Sequence, residues 1–278
     1  MRTAWPRVGV VRVAHISDLH LGADVPAVVE GLLVDLPAQQ PDLVIVSGDL
    51  TMRARRKQFE DARRLLDGLG TPWVSVPGNH DLPLDRPVTR MVRPLAGYRR
   101  HIDADPEPRR LRDGVLVLGI STPRRYFWKN GRIDRTQIAR IRRAFADAAP
   151  VRLRLLVLHH PVFTSVQRPG ERLVRGSEPA LQAAADAGVD VVLCGHDHVR
   201  AHVDLSVSRP HLGRHLLGLM CGTTTSRRVR AAESQSYNLL ELSDDDRLTL
   251  QVRRWRDGGF EPLPSYEWKR SPSGWLSD

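Results

Sequence analysis

Residues 43–81 read LVIVSGDLTMRARRKQFEDARRLLDGLGTPWVSVPGNHD, and their pattern decides the fold class. The run 43–47 is apolar and largely β-branched up to Ser47, as suits a strand buried on both faces. Residues 53–69 place apolar side chains at helical spacing among charges. Residues 73–76 form a second apolar run. The same alternation extends outward in both directions. It predicts strands over 8–17, 115–120, 153–158 and 189–194, and helices over 26–36, 134–148 and 178–187. Asp134 is a plausible N-cap, with Gln137 at capping-box spacing. Strands alternating with helices imply α/β layering, with helices covering a sheet.

The rest of the chain is less periodic. The Pro- and Arg-rich stretch 82–113 reads as a long loop or small insertion. After residue 198 the helices stop, and 216–220, 237–242 and 248–255 read as strands of a second sheet. Residues 257–278, with Trp268 and Trp275, read as a tail laid over the surface. With no internal repeat and no linker, the expected organisation is one domain over 1–278, with its polar blocks within 18–198 and the late strands and tail in 199–278.

Composition narrows the class. The chain has 278 residues, 41% hydrophobic and 27% charged, which excludes disorder and collagen-like architecture. No apolar run is long enough for a transmembrane helix, and no signal-peptide core follows Met1. A cytoplasmic protein without membrane attachment is the expectation. Cys194 and Cys221 each lie in an apolar stretch and read as reduced, buried thiols. The net charge of +10 invites a nucleic-acid reading. Lysine stands only at 57, 129 and 269, however, and the arginines are scattered, with short runs at 53–56, 109–112 and 227–230. Such a skew fits coding base composition better than a binding face.

Chemistry gathers where the strands end. The first ends in Ser17-Asp18-Leu19-His20 and the second in Ser47-Gly48-Asp49-Leu50-Thr51. The third ends in Pro77-Gly78-Asn79-His80-Asp81, and later strands end in His159-His160-Pro161 and Gly195-His196-Asp197-His198. Ligands in open α/β sheets bind at that carboxyl edge. Imidazole, carboxylate and amide oxygen together suit zinc, manganese or iron. In extended backbone, Asp18 and His20 face one side, as do His196 and His198. Asp49, after a glycine turn, is placed to bridge two ions, and the glycines at 48, 78 and 195 allow sharp turns beside them. His15, inside a strand, reads as a satisfied core histidine.

D-x-H, G-D, G-N-H-D, H and G-H-x-H, in this order, strongly resemble the calcineurin-like metallophosphoesterases over about residues 10–200. The resemblance implies a four-layer α/β/β/α sandwich, two mixed sheets flanked by helices, with a dinuclear metal site at one sheet edge. It implies two divalent ions (Mn, Fe or Zn), one held by Asp18, His20, Asp49 and His198 and the other by Asp49, Asn79, His159 and His196. His159, two residues before Pro161, matches the family ligand, and neighbouring His160 is a candidate substrate contact. Asn79 and His80 match phosphate-contacting positions, with Asp81 expected to hydrogen-bond the His80 ring and fix its tautomer. The implied reaction is attack on phosphorus by a hydroxide bridging the metals, with His80 donating a hydrogen bond or proton.

Leu50-Thr51-Met52 after G-D is unlike the purple acid phosphatases, which carry a tyrosine ligand there. His80 separates the chain from the lipid-A pathway pyrophosphatases, which have arginine at that place. Thr51 and the short remainder separate it from the repair exonucleases. I-S-D-L-H-L-G, S-G-D-L-T and V-P-G-N-H-D are most similar to the class III cyclic-nucleotide phosphodiesterases and their bacterial relatives. Ser121-Thr122-Pro123 departs from the aspartate-serine pair of many such enzymes. The loop that follows carries Trp128, which either stacks a nucleotide base or packs on the domain. The implied substrate is a small phosphodiester such as a 3′,5′-cyclic nucleotide. A nuclease with a nucleic-acid partner and a broad phosphomonoesterase are the alternatives.

Overall fold

The computed structural model describes residues 9–146, 151–165, 170, 172–230 and 233–277. The first half of the chain runs β1 (Val11–Ile16), α1 (Pro26–Ala38), β2 (Leu43–Val46), α2 (Arg56–Gly68), β3 (Trp73–Ser75), α3 (Pro87–Val92), α4 (Ala96–His101), β4 (Arg109–Arg112), β5 (Val115–Ile120) and α5 (Arg135–Ala146). The second half runs β6 (Leu153–Leu158), α6 (Ser177–Asp186), β7 (Val191–Cys194), β8 (Ala201–Asp204), α7 (Leu205–Ser208), β9 (Leu217–Met220), β10 (Ser236–Leu242), β11 (Arg247–Arg256), β12 (Gly259–Pro262), β13 (Tyr266–Ser271) and β14 (Gly274–Ser277). The expected first-strand start at residue 8 and helix end at 148 fall outside the described residues.

These strands make two mixed sheets. The first has the order β14-β13-β11-β10-β1-β2-β3, with β12 also paired to β11, and the second the order β4-β5-β6-β7-β9-β8. Strand alternation builds the layers. Along β1 and β2, Val11, Val13, Leu43 and Ile45 meet Val117, Leu155, Leu193 and Leu219 of the second sheet in a shared core. Their neighbours Ala14, Ile16, Val44 and Val46 face outward onto Leu32, Phe59 and Leu66 of α1 and α2. On the far side, Leu116, Leu118 and Leu156 pack under Ile141 and Leu181 of α5 and α6. The result is the implied helix–sheet–sheet–helix sandwich.

Three expectations are corrected. The late strands do not form one second sheet. β9 lies parallel to β7, whereas β10 lies antiparallel to β1 in the first sheet. Local pattern marks a strand but carries no record of its partner. The stretch 82–113 holds α3, α4 and β4, and Tyr98 is buried with its hydroxyl 2.5 Å from Ser75 Oγ. The tail is not laid over the surface. β12, β13 and β14 extend the first sheet, and Trp275 is 0% exposed in the inter-sheet core. Its indole N–H donates to Asp190 Oδ1 at 3.1 Å.

Candidate metal centre

The polar strand ends converge from both sheets rather than from one. β1, β2 and β3 deliver Asp18, His20, Asp49 and Asn79, and β6 and β7 deliver His159, His196 and His198. Asp18, His20 and His198 form one group of ligand-capable atoms, and Asp49, His159 and His196 a second. Asp49 Oδ2 lies 3.4 Å from His159 Nε2 and 3.6 Å from His20 Nε2, between the two groups. Asn79 Oδ1 is 3.2 Å from His159 Nε2. All seven are buried except His196, which is partly exposed.

The backbone reaches this arrangement at a conformational cost. Asp18, His20, Asp49, His196 and His198 all have positive φ, between 48° and 75°. Non-glycine residues hold such angles only where the surroundings fix them, and they cluster at functional sites. The extended backbone expected for Asp18–His20 and His196–His198 is therefore corrected. Left-handed turns aim the side chains, and they send His196 and His198 to different groups. Of the three glycines, only Gly48 has positive φ, at 93°. Gly78 and Gly195 serve close approach instead. A Cβ on Gly78 would meet Asp49 Oδ1 at 2.1 Å, and one on Gly195 would meet Ser17 Oγ at 1.9 Å.

Hydrogen bonds fix which ring nitrogens face inward. His159 Nδ1 is 2.8 Å from the Ser47 carbonyl, and His198 Nδ1 bonds the Arg228 carbonyl. A carbonyl only accepts, so both rings carry a proton on Nδ1, which leaves Nε2 as the atom that faces the site. Asp18 Oδ2 accepts from Ser17 Oγ at 2.6 Å and from the His196 N–H at 2.9 Å. Asp18 Oδ1 is buried and faces only ring nitrogens, His198 Nε2 at 3.2 Å and His20 Nε2 at 3.6 Å, and His20 Nδ1 is buried with no hydrogen-bond partner. A buried carboxylate oxygen and the ring nitrogens that crowd it need a shared partner. A cation would supply it, and the N/O donor set suits zinc, manganese or iron. Burial opposes ionisation of Asp18 and Asp49, but the surrounding histidines outweigh it and hold both well below the usual range. Burial likewise opposes charge on His159, yet Asp49 and Asp18 raise it to about 9.

His80 and Asp81 behave differently from expectation. Asp81 does not hold the His80 ring. Its carboxylate accepts from the N–H groups of Thr51 and Gly78, each at 2.9 Å, from Leu50 N–H at 3.2 Å and from Thr51 Oγ1 at 2.9 Å. It thus ties the G-D-L-T loop to the G-N-H-D turn. Burial and the charge of Asp49 push Asp81 up to about 7. The His80 ring is oriented instead by Met52, whose carbonyl lies 2.9 Å from Nδ1. His80 N–H donates to Asp49 Oδ1 at 2.8 Å.

The proposed substrate contacts separate. His160 is buried, with Nδ1 2.7 Å from Thr122 Oγ1 and Nε2 2.8 Å from the Lys129 carbonyl. Both ring nitrogens are taken, so His160 anchors the 122–131 loop rather than offering a polar atom to substrate. Burial brings its pKa to about 3. Trp128 is 58% exposed on that loop, with the Arg90 guanidinium 4.8 Å from its ring centre. His15 is a satisfied core residue, bonded to Ser47 Oγ at 2.9 Å and near Asn238 Nδ2 at 3.3 Å.

Sequence reasoning missed the run 223–226. Thr223 Oγ1 donates to the Asp18 carbonyl at 2.7 Å, Thr225 Oγ1 to the Leu19 carbonyl at 2.8 Å, and Thr224 Oγ1 accepts from Ser17 N–H at 3.1 Å. These hydroxyls lace the strained D-x-H turn to the end of β9. Their signal was a polar run directly after an apolar strand, the same signature as the ligand blocks.

A pair of buried ligand-capable groups with the Asp49 carboxylate between them, at the strand ends of a two-sheet sandwich, fits a dimetal phosphoesterase fold. The chain belongs to the calcineurin-like phosphoesterase family, whose model matches residues 11–200, and it is a phosphoester hydrolase. It is 26% identical over 278 residues to the 3′,5′-cyclic adenosine monophosphate phosphodiesterase CpdA of Escherichia coli K12, covering 91% of this chain and 92% of that protein. It is 28% identical over 200 residues to a probable cyclic nucleotide phosphodiesterase of Synechococcus, covering 67% and 72%. Its fold is similar to that of a purple acid phosphatase from yellow lupin, with a TM-score of 0.71 at 14% identity, over 94% of this chain and 54% of that one. Among the described residues, no helix is long and apolar enough to cross a membrane.

Proposed function

We propose that the protein hydrolyses small phosphodiesters, 3′,5′-cyclic nucleotides among them. The reading rests chiefly on Asp49, whose Oδ2 lies within 3.6 Å of a histidine from each group. Similarity to two proteins named as cyclic-nucleotide phosphodiesterases points to the diester class. Asp18, His20, Asp49 and His198 would hold one divalent ion, and Asp49, Asn79, His159 and His196 the other. When bound, two such ions neutralise phosphate charge and lower the pKa of water toward neutrality.

The chain's own groups do the rest. Ser47 and Arg228 carbonyls keep His159 and His198 in the ligating tautomer. Asp81 fixes the two loops that carry Asp49 and Asn79. His80, held by Met52 at Nδ1, turns Nε2 toward the place of the phosphoryl group and serves the leaving oxygen. The test is a substrate panel of bis(p-nitrophenyl) phosphate, p-nitrophenyl phosphate, cyclic AMP and single-stranded DNA on protein loaded with manganese, iron or zinc. Diester turnover above monoester turnover, with cyclic AMP accepted, is expected. Preference for the monoester, or for DNA, overturns the reading.

A further inference from the structure

We propose that Arg228 is a phosphate-binding residue of this site. Its guanidinium rests on His80 in the free protein and passes to a phosphoryl oxygen of the bound substrate. The inference deepens the phosphodiesterase reading and rests on the phosphoester chemistry of the same centre.

Four observations carry it. Arg228 Nη1 lies 3.1 Å from His80 Nε2, and the His80 ring stands edge-on to His20 with centroids 4.7 Å apart. His20, Asp49 and His80 also form a third group of ligand-capable atoms, so the guanidinium sits at the rim of the metal centre. Second, its side-chain partners are poor ones. Besides His80 it reaches only Met52 Sδ, at 3.9 Å, and no carboxylate pairs with it among the described residues. Other arginines of this chain find acids, as Arg200 does on Glu233 and Arg253 on Asp35. A guanidinium has five donors in a planar fork and no acceptor. A phosphate oxygen satisfies it better than a neutral ring nitrogen does, through charge-assisted and bidentate bonds.

Third, the backbone that carries Arg228 is already fixed. Its N–H donates to Ser226 Oγ at 3.1 Å, and its carbonyl accepts from His198 Nδ1. The residue is thus registered against an ion ligand by its main chain, while its half-buried side chain stays accessible to an entering anion. Fourth, the contact governs what His80 can do. Nδ1–H is committed to Met52, so Nε2 is the ring atom left for the substrate, and Arg228 occupies it. Transfer of the guanidinium to phosphate frees that nitrogen when the substrate arrives.

The test uses Arg228→Ala and Arg228→Lys in full-length, manganese-loaded protein, each also combined with His80→Ala. Inorganic phosphate binding by calorimetry and metal content are measured beside hydrolysis of bis(p-nitrophenyl) phosphate. Because the carbonyl to His198 belongs to the main chain, both single variants should keep their metal. Phosphate affinity should fall about 10- to 100-fold in Arg228→Ala, the range of a lost charge-assisted hydrogen bond, and recover in part in Arg228→Lys. The loss should persist in the His80→Ala background. An unchanged phosphate affinity overturns the proposal. So does an Arg228→Ala effect that vanishes once His80 is gone, since the arginine then acts only through the ring. An emptied metal position in Arg228→Ala also overturns it, making the residue a support for His198. Wild-type protein that binds phosphate through Arg228 yet spares the diester would sink the diester reading and leave this one standing.

Discussion

Asp18 and Asp190 are both buried aspartates, at 0% and 1% exposure, and they live in opposite circumstances. Asp190 is satisfied by its own chain. Oδ1 accepts from Arg270 and from the Trp275 indole, each at 3.1 Å, and Oδ2 accepts from Arg154 N–H at 2.8 Å. Asp18 has one oxygen held by hydrogen bonds, while the other faces only the His198 and His20 rings. Around Asp18 the backbone is left-handed at residue after residue, whereas β13 and β14 near Asp190 pair in regular antiparallel register. The difference teaches where the fold draws stability and where it gives it up. The end that carries Trp275 and Arg270 holds the sheets together. The candidate metal centre gathers carboxylates and ring nitrogens in left-handed turns, and a cation would complete it.

Four tests break or sharpen that contrast. The largest effect is expected at Asp49, which lies between the two groups. Asp49→Ala should lose most bound metal and more than about 100-fold in activity, beyond the 10–100-fold typical of a residue that only supports ligands, while circular dichroism stays native. Near-normal turnover with two ions still bound contradicts the shared role. His80→Ala comes next. It should retain both ions and lower kcat by about 10²–10⁴-fold, the range for a general acid–base group. Metal analysis showing one emptied position would make His80 a ligand.

The third test sets the two aspartates against each other by thermal unfolding of metal-free protein. Asp190→Asn breaks a buried ion pair and should cost about 3–5 kcal/mol. Asp18→Asn removes a carboxylate that the site's own histidines hold ionised and should cost the metal-free protein less than Asp190→Asn does, yet abolish the stabilisation that added manganese gives the wild type. Equal losses for both would erase the contrast. The smallest effect is expected at Trp128. Trp128→Ala should raise KM for a nucleotide diester by the equivalent of about 1–3 kcal/mol of base stacking and spare a baseless aryl diester. Equal changes on both substrates would make the indole a packing partner of Arg90.

The ligand blocks were legible because each sits at the end of a buried apolar strand, where composition changes abruptly from Val, Ile and Leu to Asp, Asn and His. The central strands and main helices were legible for the same reason: burial imposes a pattern on local sequence. What escaped is made by distant pairing. Arg228 meets His80 across 148 residues, and Thr223 meets Asp18 across 205. No period or spacing encodes such contacts. β13 and β14 escaped because they are short and rich in Ser, Arg and Lys, so Trp268 and Trp275 looked like isolated aromatics. Asp81 was assigned to the wrong partner because adjacency suggested His80, whereas the turn aims its carboxylate at the backbone of residues 50, 51 and 78.

The central claim is that two ions share Asp49. Anomalous diffraction from crystals of the manganese-loaded protein tests it most directly. The account predicts two peaks about 3.5–4 Å apart, with Asp49 Oδ2 between them, Asp18, His20 and His198 around one, and Asn79, His159 and His196 around the other. A single peak, or two peaks with Asp49 bound to only one, would contradict it.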